Sequence, residues 1–498
     1  MFGKIKLLIN RLGKKMISAT NSVIDVSEKR YIELKISAWK ASSIRTSQIK
    51  GEMYYKGLHD IIKRKRQVIG EDGDLVEVKN LPNHRIIDNQ FCKMVDQKKN
   101  YLLSQAIVFN SKNKQYNDAL QEVFDKTFMK LVKDIGLDSI TGGIAWLHPY
   151  YDEEGNFKFK KFPAYEILPF WDNKEHTKLK FAVRYYVEEK EGSTSNEVVE
   201  KVEVYTPSGI FYYTMLNNTL FPDPKIPHRN YLTLESEELE QGYNWDRVPL
   251  IPFKSNSFEI PLINRCKSIQ DAINVIMSDF VNGMEENAGG NSILVLQNYD
   301  GENLGEFRNK LATYRAVKVR TTDSAKGGVD KLEIEVNATN YESVLKLLKR
   351  QLIENCRGFD AKDDRMTSNP NQMNIKSMYS DVDLDARDME VEFEASFDSL
   401  LWFVNQHLAN MNVGNFENED VNIIFNKDSV VNETEVLQSL VQAGVRISNK
   451  TLLKQVPFID SIDDEIKQLK LEEEEQLNPY NDKLPLNGDK NDNLQDNK

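Results

Sequence analysis

Residues Asn371–Met411 read NQMNIKSMYSDVDLDARDMEVEFEASFDSLLWFVNQHLANM. Met378, Val382, Ala386, Met389, Phe393, Phe397, Leu400, Val404 and Leu408 recur at steps of three and four. That spacing lines one face of an α-helix and no strand can use it. Neither Pro nor Gly interrupts the run. At the standard rise, a helix of about 30–35 residues extends roughly 45–50 Å. Upstream, Tyr341, Val344, Leu345, Leu348, Leu352 and Cys356 mark a shorter helix with Lys346, Lys349 and Arg350 beside its stripe. Between the two lies Gly358–Pro370, rich in Asp, Asn, Ser and Lys and almost free of apolar residues. A polar loop held between two helices is a device for presenting something.

At 498 residues the chain exceeds the size at which one core keeps growing, so two to four domains are expected. A 40% hydrophobic and 29% charged content supports packed cores under ample solvated surface. No apolar run reaches the roughly eighteen residues of a membrane helix. Met1–Met16 sets Lys4, Lys6, Arg11, Lys14 and Lys15 among Ile5, Leu7, Leu8, Ile9 and Leu12, without the cleavage site of a secretion signal. It reads as an amphipathic or frayed helix, with a membrane surface or an acidic polymer as the other option. Cys92, Cys266 and Cys356 are odd in number, far apart and each within a helical pattern, which fits buried reduced thiols in a cytosolic setting. The net charge of −12 is not what a high-affinity nucleic-acid binder shows. Twelve acids against five bases in Asp460–Lys498 supply −7 of it. Glu472–Glu475 and the Asn/Asp-rich end read as a disordered, solvated tail.

Residues 20–80 are polar and helical in tendency, with Lys63-Arg64-Lys65-Arg66 before an Ile-Gly-Glu-Asp-Gly turn. The spacing predicts helices over Ile86–Gln105 and Asn117–Asp134. The period then changes. Ile144–Tyr151, a Glu-Glu-Gly-Asn turn and Phe157–Phe162 form a hairpin pattern. Strand-like runs follow at Glu166–Trp171, Phe181–Val187, Val202–Tyr205 and Ile210–Met215, so residues 85–255 read as an α+β block with one twisted antiparallel sheet. Asn256–Glu286 returns to helix and ends at Gly289-Gly290. Residues 291–336 read as a compact insert: strand Ile293–Leu296, helix Glu302–Ala312, then Ala316–Thr321 and Lys331–Val336 as a hairpin. If helices Pro261–Glu286 and Asn340–Arg357 run antiparallel, they carry that insert at their far end. After the long helix come a short strand, Val421–Phe425, and helices Asn432–Ala443, Asn449–Gln455 and Ile462–Leu471.

The chemistry of enzymes is missing. Gly3-Lys4 and Gly13-Lys14 lack the glycine and Ser/Thr of a phosphate-binding loop, and no Gly-x-Gly-x-x-Gly follows a strand. The six histidines are scattered, and His407, beside the apolar stripe, reads as a packed, hydrogen-bonded core histidine. Asp381, Asp383, Asp385 and Glu392 copy calcium-loop spacing, but Ala386 stands where that loop needs Gly, so a solvated or ion-paired helix face is the better reading. Trp146, Tyr150, Tyr151, Phe157, Phe159, Phe162, Phe170 and Trp171 read as sheet core rather than a base-stacking platform. Lys346, Lys349, Arg350 and Arg357, with Lys362 and Arg365 in the loop, taken alone are ordinary helix surface.

The order of these pieces resembles the portal (head–tail connector) proteins of tailed double-stranded DNA bacteriophages, of the type found in long-tailed phages of Gram-positive bacteria. Asp88-Asn89-Gln90-Phe91 through Tyr101-Leu102-Leu103 resembles the family's early helix. Thr141-Gly142-Gly143-Ile144-Ala145-Trp146 with Tyr150–Gly155 resembles its first hairpin, and Pro163–Asp172 the next strand. Val248-Pro249-Leu250-Ile251-Pro252-Phe253 followed by Asn256 is similar to its stem entry. Ser368–Met373 leading into Tyr379–Leu384 resembles the loop opening its long helix, although Asn369-Pro370-Asn371 replaces a small, glycine-bearing junction.

The resemblance implies an α+β, multidomain, elongated portal fold. Residues 1–84 are an N-terminal helical and polar segment, 85–255 the wing, 256–286 and 337–357 the two-helix stem, and 287–336 the small α/β clip. Residues 358–371 are the tunnel loop, 372–427 the long wing helix and strand, 428–471 the helical crown and 472–498 the acidic tail. It implies a homododecameric ring at one capsid vertex of the virion, assembled in the host cytoplasm, that conducts double-stranded DNA during packaging and ejection. It needs no cofactor and no membrane. DNA would pass Lys346, Lys349, Arg350, Arg357, Lys362, Arg365, Asn369 and Asn371. The terminase large subunit, and later a head–tail adaptor, would dock on the clip through Arg308, Lys310, Arg315, Lys318 and Arg320, with scaffold and major capsid protein as further partners. The alternatives are a DNA-processing nuclease or motor subunit, and a capsid or tail adaptor without a channel.

Overall fold

The computed structural model describes residues 17–18, 26–69, 72–79, 81–189, 198–235, 240–288, 293–297, 303–314, 327–332, 337–360, 372–427 and 462–477. The chain divides into two units: Met1–Ala361 with Met378–Ser429, and Lys362–Ser377 with Val430–Lys498. Met1–Met16 and the expected helices Asn432–Ala443 and Asn449–Gln455 lie outside the described residues.

Strand β1 (Ile17–Ser18) is followed by helices α1 (Val26–Lys40) and α2 (Ser43–Tyr55). Ser42 caps α2, its Oγ accepting from Arg45 N at 3.2 Å. Next comes a small hairpin, β2 (Gln67–Ile69) with β3 (Leu75–Glu77). Helix α3 (Gln90–Leu103) begins four residues later than its apolar spacing predicts, because Asn89 caps it, accepting from Cys92 N at 2.9 Å. After β4 (Val108–Asn110), the single helix expected over Asn117–Asp134 is two, α4 (Lys114–Val123) and α5 (Lys126–Gly142). Phe124 leaves helical geometry, and Asp125 caps α5 through Phe128 N at 2.8 Å. The apolar stripe runs through the break, so periodicity does not register it.

One sheet was expected in this block; among the described residues its strands fall into one six-stranded and two three-stranded sheets, with β4 paired elsewhere. Strands β5 (Ile144–Tyr151) and β6 (Phe157–Phe162) form a three-stranded sheet whose third member is Ile251–Lys254. Strands β7 (Ile167–Trp171), β8 (Leu179–Glu189), β9 (Val198–Thr206), β10 (Gly209–Leu216) and β11 (Thr219–Pro222) form the larger sheet in order β11-β10-β9-β8-β7, with β12 (His228–Arg229) paired to β10. Strand β14 (Glu240–Asn244) lies between β1 and β13 (Leu232–Glu235) and pairs with both, and β15 is Ile251–Lys254. The first two sheets meet across Ile144, Trp146, Phe162, Ile167, Ala182, Tyr205 and Ile210. Helix α1 lays Ile32 and Ile36 on the larger sheet against Val183, Tyr185, Val202 and Val204.

Helix α6 (Ile263–Ala288) leads to β16 (Ile293–Gln297), α7 (Leu304–Tyr314) and β17 (Gly328–Leu332), and α8 (Ala338–Asn355) returns. Strand β17 starts three residues before the expected Lys331 and pairs with β16; Ala316–Thr321 lies outside the described residues. Helices α6 and α8 run antiparallel. The Phe280 and Tyr341 rings sit 5.0 Å apart, and fourteen to fifteen residues further along, Cys266 and Cys356 are both buried in the main core.

Helix α9 (Gln372–Asn410) is one unbroken helix of 39 residues, as its spacing predicts. Val382, Met389, Phe393, Phe397, Leu400 and Val404 are buried in the main core, where Phe253 meets Phe393 and Phe397 edge-on at 5.0 and 5.2 Å. Asn412, at φ 58, ends it: Val413 N bonds back to Leu408 O at 3.0 Å, and Asn is among the few side chains that adopt this left-handed geometry. Strand β18 (Asn422–Ile424) pairs with β4. Helix α10 (Ile462–Leu477) runs six residues past its expected end, so Glu472–Glu475 are helical rather than tail; glutamate is a good helix former. Among the described residues no helix is long and apolar enough to cross a membrane.

Candidate functional site

The site centres on the two ends of the polar segment between α8 and α9. Phe359, just after α8, and Tyr379, seven residues into α9, both meet one face of α3 formed by Gln97, Lys98 and Tyr101. The Gln97 amide holds Phe359 at two points, Nε2 donating to Phe359 O and Oε1 accepting from Phe359 N, each at 2.9 Å. Gly358 is required by close approach, since a Cβ there would meet Met94 Sδ at 2.5 Å and Gln97 Oε1 at 2.8 Å. From the α9 side, the Tyr379 ring lies 4.2 Å from Phe359 and 5.9 Å from Tyr101. Tyr101 Oη donates to Asp383 at 3.1 Å.

Beneath this clamp is a charge cluster centred on the largely buried Asp385 and Lys98. Asp385 takes Lys98 at 2.7 Å and Arg265 at 2.9 Å on one oxygen, and Arg357 at 2.7 Å on the other. Burial acts to raise the Asp385 pKa, but Lys98 foremost, then Arg265 and Arg357, outweigh it and hold the carboxyl below its ordinary value. Burial pulls Lys98 down while Asp385 opposes it. Lys98 Nζ also donates to Arg357 O at 3.2 Å. Arg357 itself sits at φ 49, where the chain turns out of α8. Asp385 therefore joins α3, α6, α8 and α9 at one point.

Helix α6 has a second polar feature that apolar counting overlooks. Gln270, Asn274, Ser278 and Asn282, spaced by four and all buried, accept the backbone N–H groups of Phe91 (3.0 Å), Asp88 (3.1 Å), Ile86 (2.9 Å) and His84 (2.7 Å). This ladder zips the chain entering α3 onto α6 without any strand pairing. The period-four run of amides and a hydroxyl opposite an apolar stripe was the available signal.

The bases expected along a channel are engaged within the chain. Lys346 pairs with Glu342 at 2.7 Å and Arg350 with Glu354 at 2.9 Å, all exposed, whereas Lys349 reaches Asp88 at 2.7 Å and Arg357 reaches Asp385. Lys362, Arg365, Asn369 and Asn371 lie outside the described residues. Arg308 and Lys310 lie on α7; Arg315, Lys318 and Arg320 fall outside. The calcium-like carboxylates lie along continuous helix, where Asp383 pairs with Arg387 at 2.8 Å and Asp385 with Lys98 at 2.7 Å. His407 is a core histidine, stacked 4.6 Å from Phe157 and within 3.1 Å of Tyr151 Oη, and burial pushes it down to about 4. The aromatic set is core too, with Trp146 fully buried and Phe159 packed 4.9 Å from Phe128.

Comparison with known proteins matches the sequence to one family. The family profile described as "Phage portal protein, SPP1 Gp6-like" matches residues 41–478. The portal protein of Bacillus phage SPP1 is 27% identical over 438 residues, 87% of this chain and 84% of the relative. The portal protein of Clostridium phage phiCD119 is 24% identical over 441 residues, 86% of this chain and 93% of the relative. With a profile match across most of its length, the chain belongs to the SPP1-type phage portal protein family, capsid-associated structural proteins rather than enzymes.

Proposed function

We propose that the chain is one subunit of a closed, DNA-conducting dodecameric ring at a single capsid vertex, assembled in the host cytoplasm and retained in the virion. Residues 85–255 are then the wing, α6 and α8 the stem, 287–336 the clip, 358–371 the tunnel loop, 372–427 the long wing helix with its strand, and 428–471 the crown. The observation that carries this reading is the double fastening of the tunnel loop: Phe359 and Tyr379 both rest on α3. On this reading the tunnel loop, which carries Lys362, Arg365, Asn369 and Asn371, is flanked by residues that pack on α3. The charge balance also supports it. Each neutralised phosphate adds salt-dependent grip, and a chain of net charge −12 limits that grip.

The intramolecular pairing of Lys346, Lys349, Arg350 and Arg357 favours a division of labour in which these stabilise the stem and Lys362 and Arg365 touch DNA. Arg308, Lys310, Arg315, Lys318 and Arg320 on the clip receive the terminase large subunit and then the head–tail adaptor, while scaffold and major capsid protein hold the wing. Electron microscopy of the purified chain and of capsids tests the core of this reading: closed rings with an axial hole are expected, and monomers in both settings would overturn it.

A further inference from the structure

The two flanks of the α6–α8 pair differ in what they leave bare. On one flank Arg64 and Arg66 reach Asp279 (3.0 Å) and Glu286 (2.7 Å), mounting the β2–β3 hairpin on α6. Its four large aliphatic side chains all face solvent: Val68 is 40% exposed, Ile69 75%, Leu75 65% and Val76 52%. Ile69 lies opposite Leu75 and Val68 opposite Val76, so the ribbon offers apolar pairs on both faces. A lone two-stranded hairpin is marginal in water, and one that exposes its apolar pairs is built to be covered. At its turn, Asp72 and Asp74 have no ion-pair partner among the described residues; Glu77 pairs with Lys65.

The opposite flank is the outer side of α8. Tyr341 and Leu352 face the core, and Lys349 points to Asp88 on the hairpin side. At helical spacing, Val344 and Leu347 fall away from Asp88. They are 44% and 54% exposed, with Lys346 and Arg350 one turn apart beside Leu347. Those two bases are held by exposed intrahelical pairs, which re-pair at little cost.

We propose that the β2–β3 hairpin of one subunit docks on the Val344–Leu347 face of α8 in the next, with Asp72 and Asp74 meeting Lys346 and Arg350. The proposal rests on the ring reading above. A ring closes only through two different patches of one chain that complement each other. Here both patches are apolar, one carries free acids and the other exchangeable bases, and they lie on opposite flanks of one helix pair. That placement lets the contact repeat from subunit to subunit, and it commits the occupant to a second copy of this chain.

The test uses the full chain carrying Ile69→Cys and Leu347→Cys together, treated with a short bismaleimide. A ladder of covalent multimers on a denaturing gel is expected, absent from either single variant and from the unmodified chain. Intact rings without the ladder would overturn the contact while leaving the ring reading standing. A chain that stays monomeric before any cross-linker is added would overturn the ring reading itself. Asp72→Lys with Asp74→Lys provides the second arm: fewer rings are expected, with recovery when Lys346→Glu and Arg350→Glu are added. Loss without recovery, in a folded chain, would count against the charge pairing.

Discussion

Arg357 and Asp385 are joined guanidinium to carboxylate at 2.7 Å, fixing the exit of α8 to the buried side of α9. Their burial is unequal. The Asp385 side chain is 13% exposed and that of Lys98 8%, whereas Arg357 is 47% exposed.

That inequality predicts unequal substitutions. Asp385→Ala leaves the Lys98 ammonium buried without its counter-ion, at a cost of about 3–5 kcal/mol. Arg357→Gly loses only a half-exposed pair, worth about 0–1 kcal/mol, and relieves a left-handed backbone that costs a side-chain-bearing residue about 1 kcal/mol. Urea unfolding midpoints should fall sharply for the first and stay near the parent for the second. Equal losses would show that Arg357, not Lys98, is the charge Asp385 serves.

The amide-and-hydroxyl ladder on α6 predicts a local effect. Ser278→Ala strands the Ile86 N–H, about 1–3 kcal/mol for an unsatisfied buried donor. Asn274→Leu costs more, because Asn274 also receives Gln270 and faces His59. Hydrogen exchange reads this directly: the Ile86 amide should lose protection by about tenfold or more in Ser278→Ala, equivalent to about 1.4 kcal/mol, while amides in β8 and β9 stay unchanged.

Acid should weaken the fold through two buried histidines. Burial holds His148 down to about 3 and His407 down to about 4, while each titrates near 6.5 when unfolded. Between those values the unfolded chain binds the extra protons, so stability is full above about 6.5 and falls as pH drops toward 4. The slope approaches about 1.4 kcal/mol per pH unit for each histidine. The Asp385 carboxyl, held low, contributes above its ordinary value and is lost only at lower pH. His407→Gln keeps an acceptor for Tyr151 and should remove one histidine's share of the slope between pH 6 and 4.5.

These features divide by range. The unbroken α9, the β5–β6 hairpin and the strands of the larger sheet were legible because period and turn residues are local. The break at Phe124–Asp125 was not, since Phe124 and Phe128 keep the apolar spacing while the cap at Asp125 ends the helix. The clamp was illegible for another reason. Gln97 and Phe359, or Lys98 and Asp385, are far apart in sequence, and only tertiary packing brings an ordinary helix surface under the loop. Lys349 read as ordinary helix surface for the same reason, its partner Asp88 lying on the chain before α3.

The basic residues then separate by assay. Lys362→Ala with Arg365→Ala should change DNA packaging or retention while rings assemble normally, because the proposed function assigns those residues to DNA contact. Lys346→Ala with Arg350→Ala should do the reverse, weakening ring assembly while leaving packaging per assembled particle unchanged. Added salt should imitate the second pair, since exposed charges beyond about 10 Å are screened at 0.1 M. Particle counts by electron microscopy and encapsidated DNA per particle read the two arms separately. If the stem pair lowered DNA per particle and spared assembly, the stem bases would face DNA and the hairpin contact would have to lie elsewhere on α8.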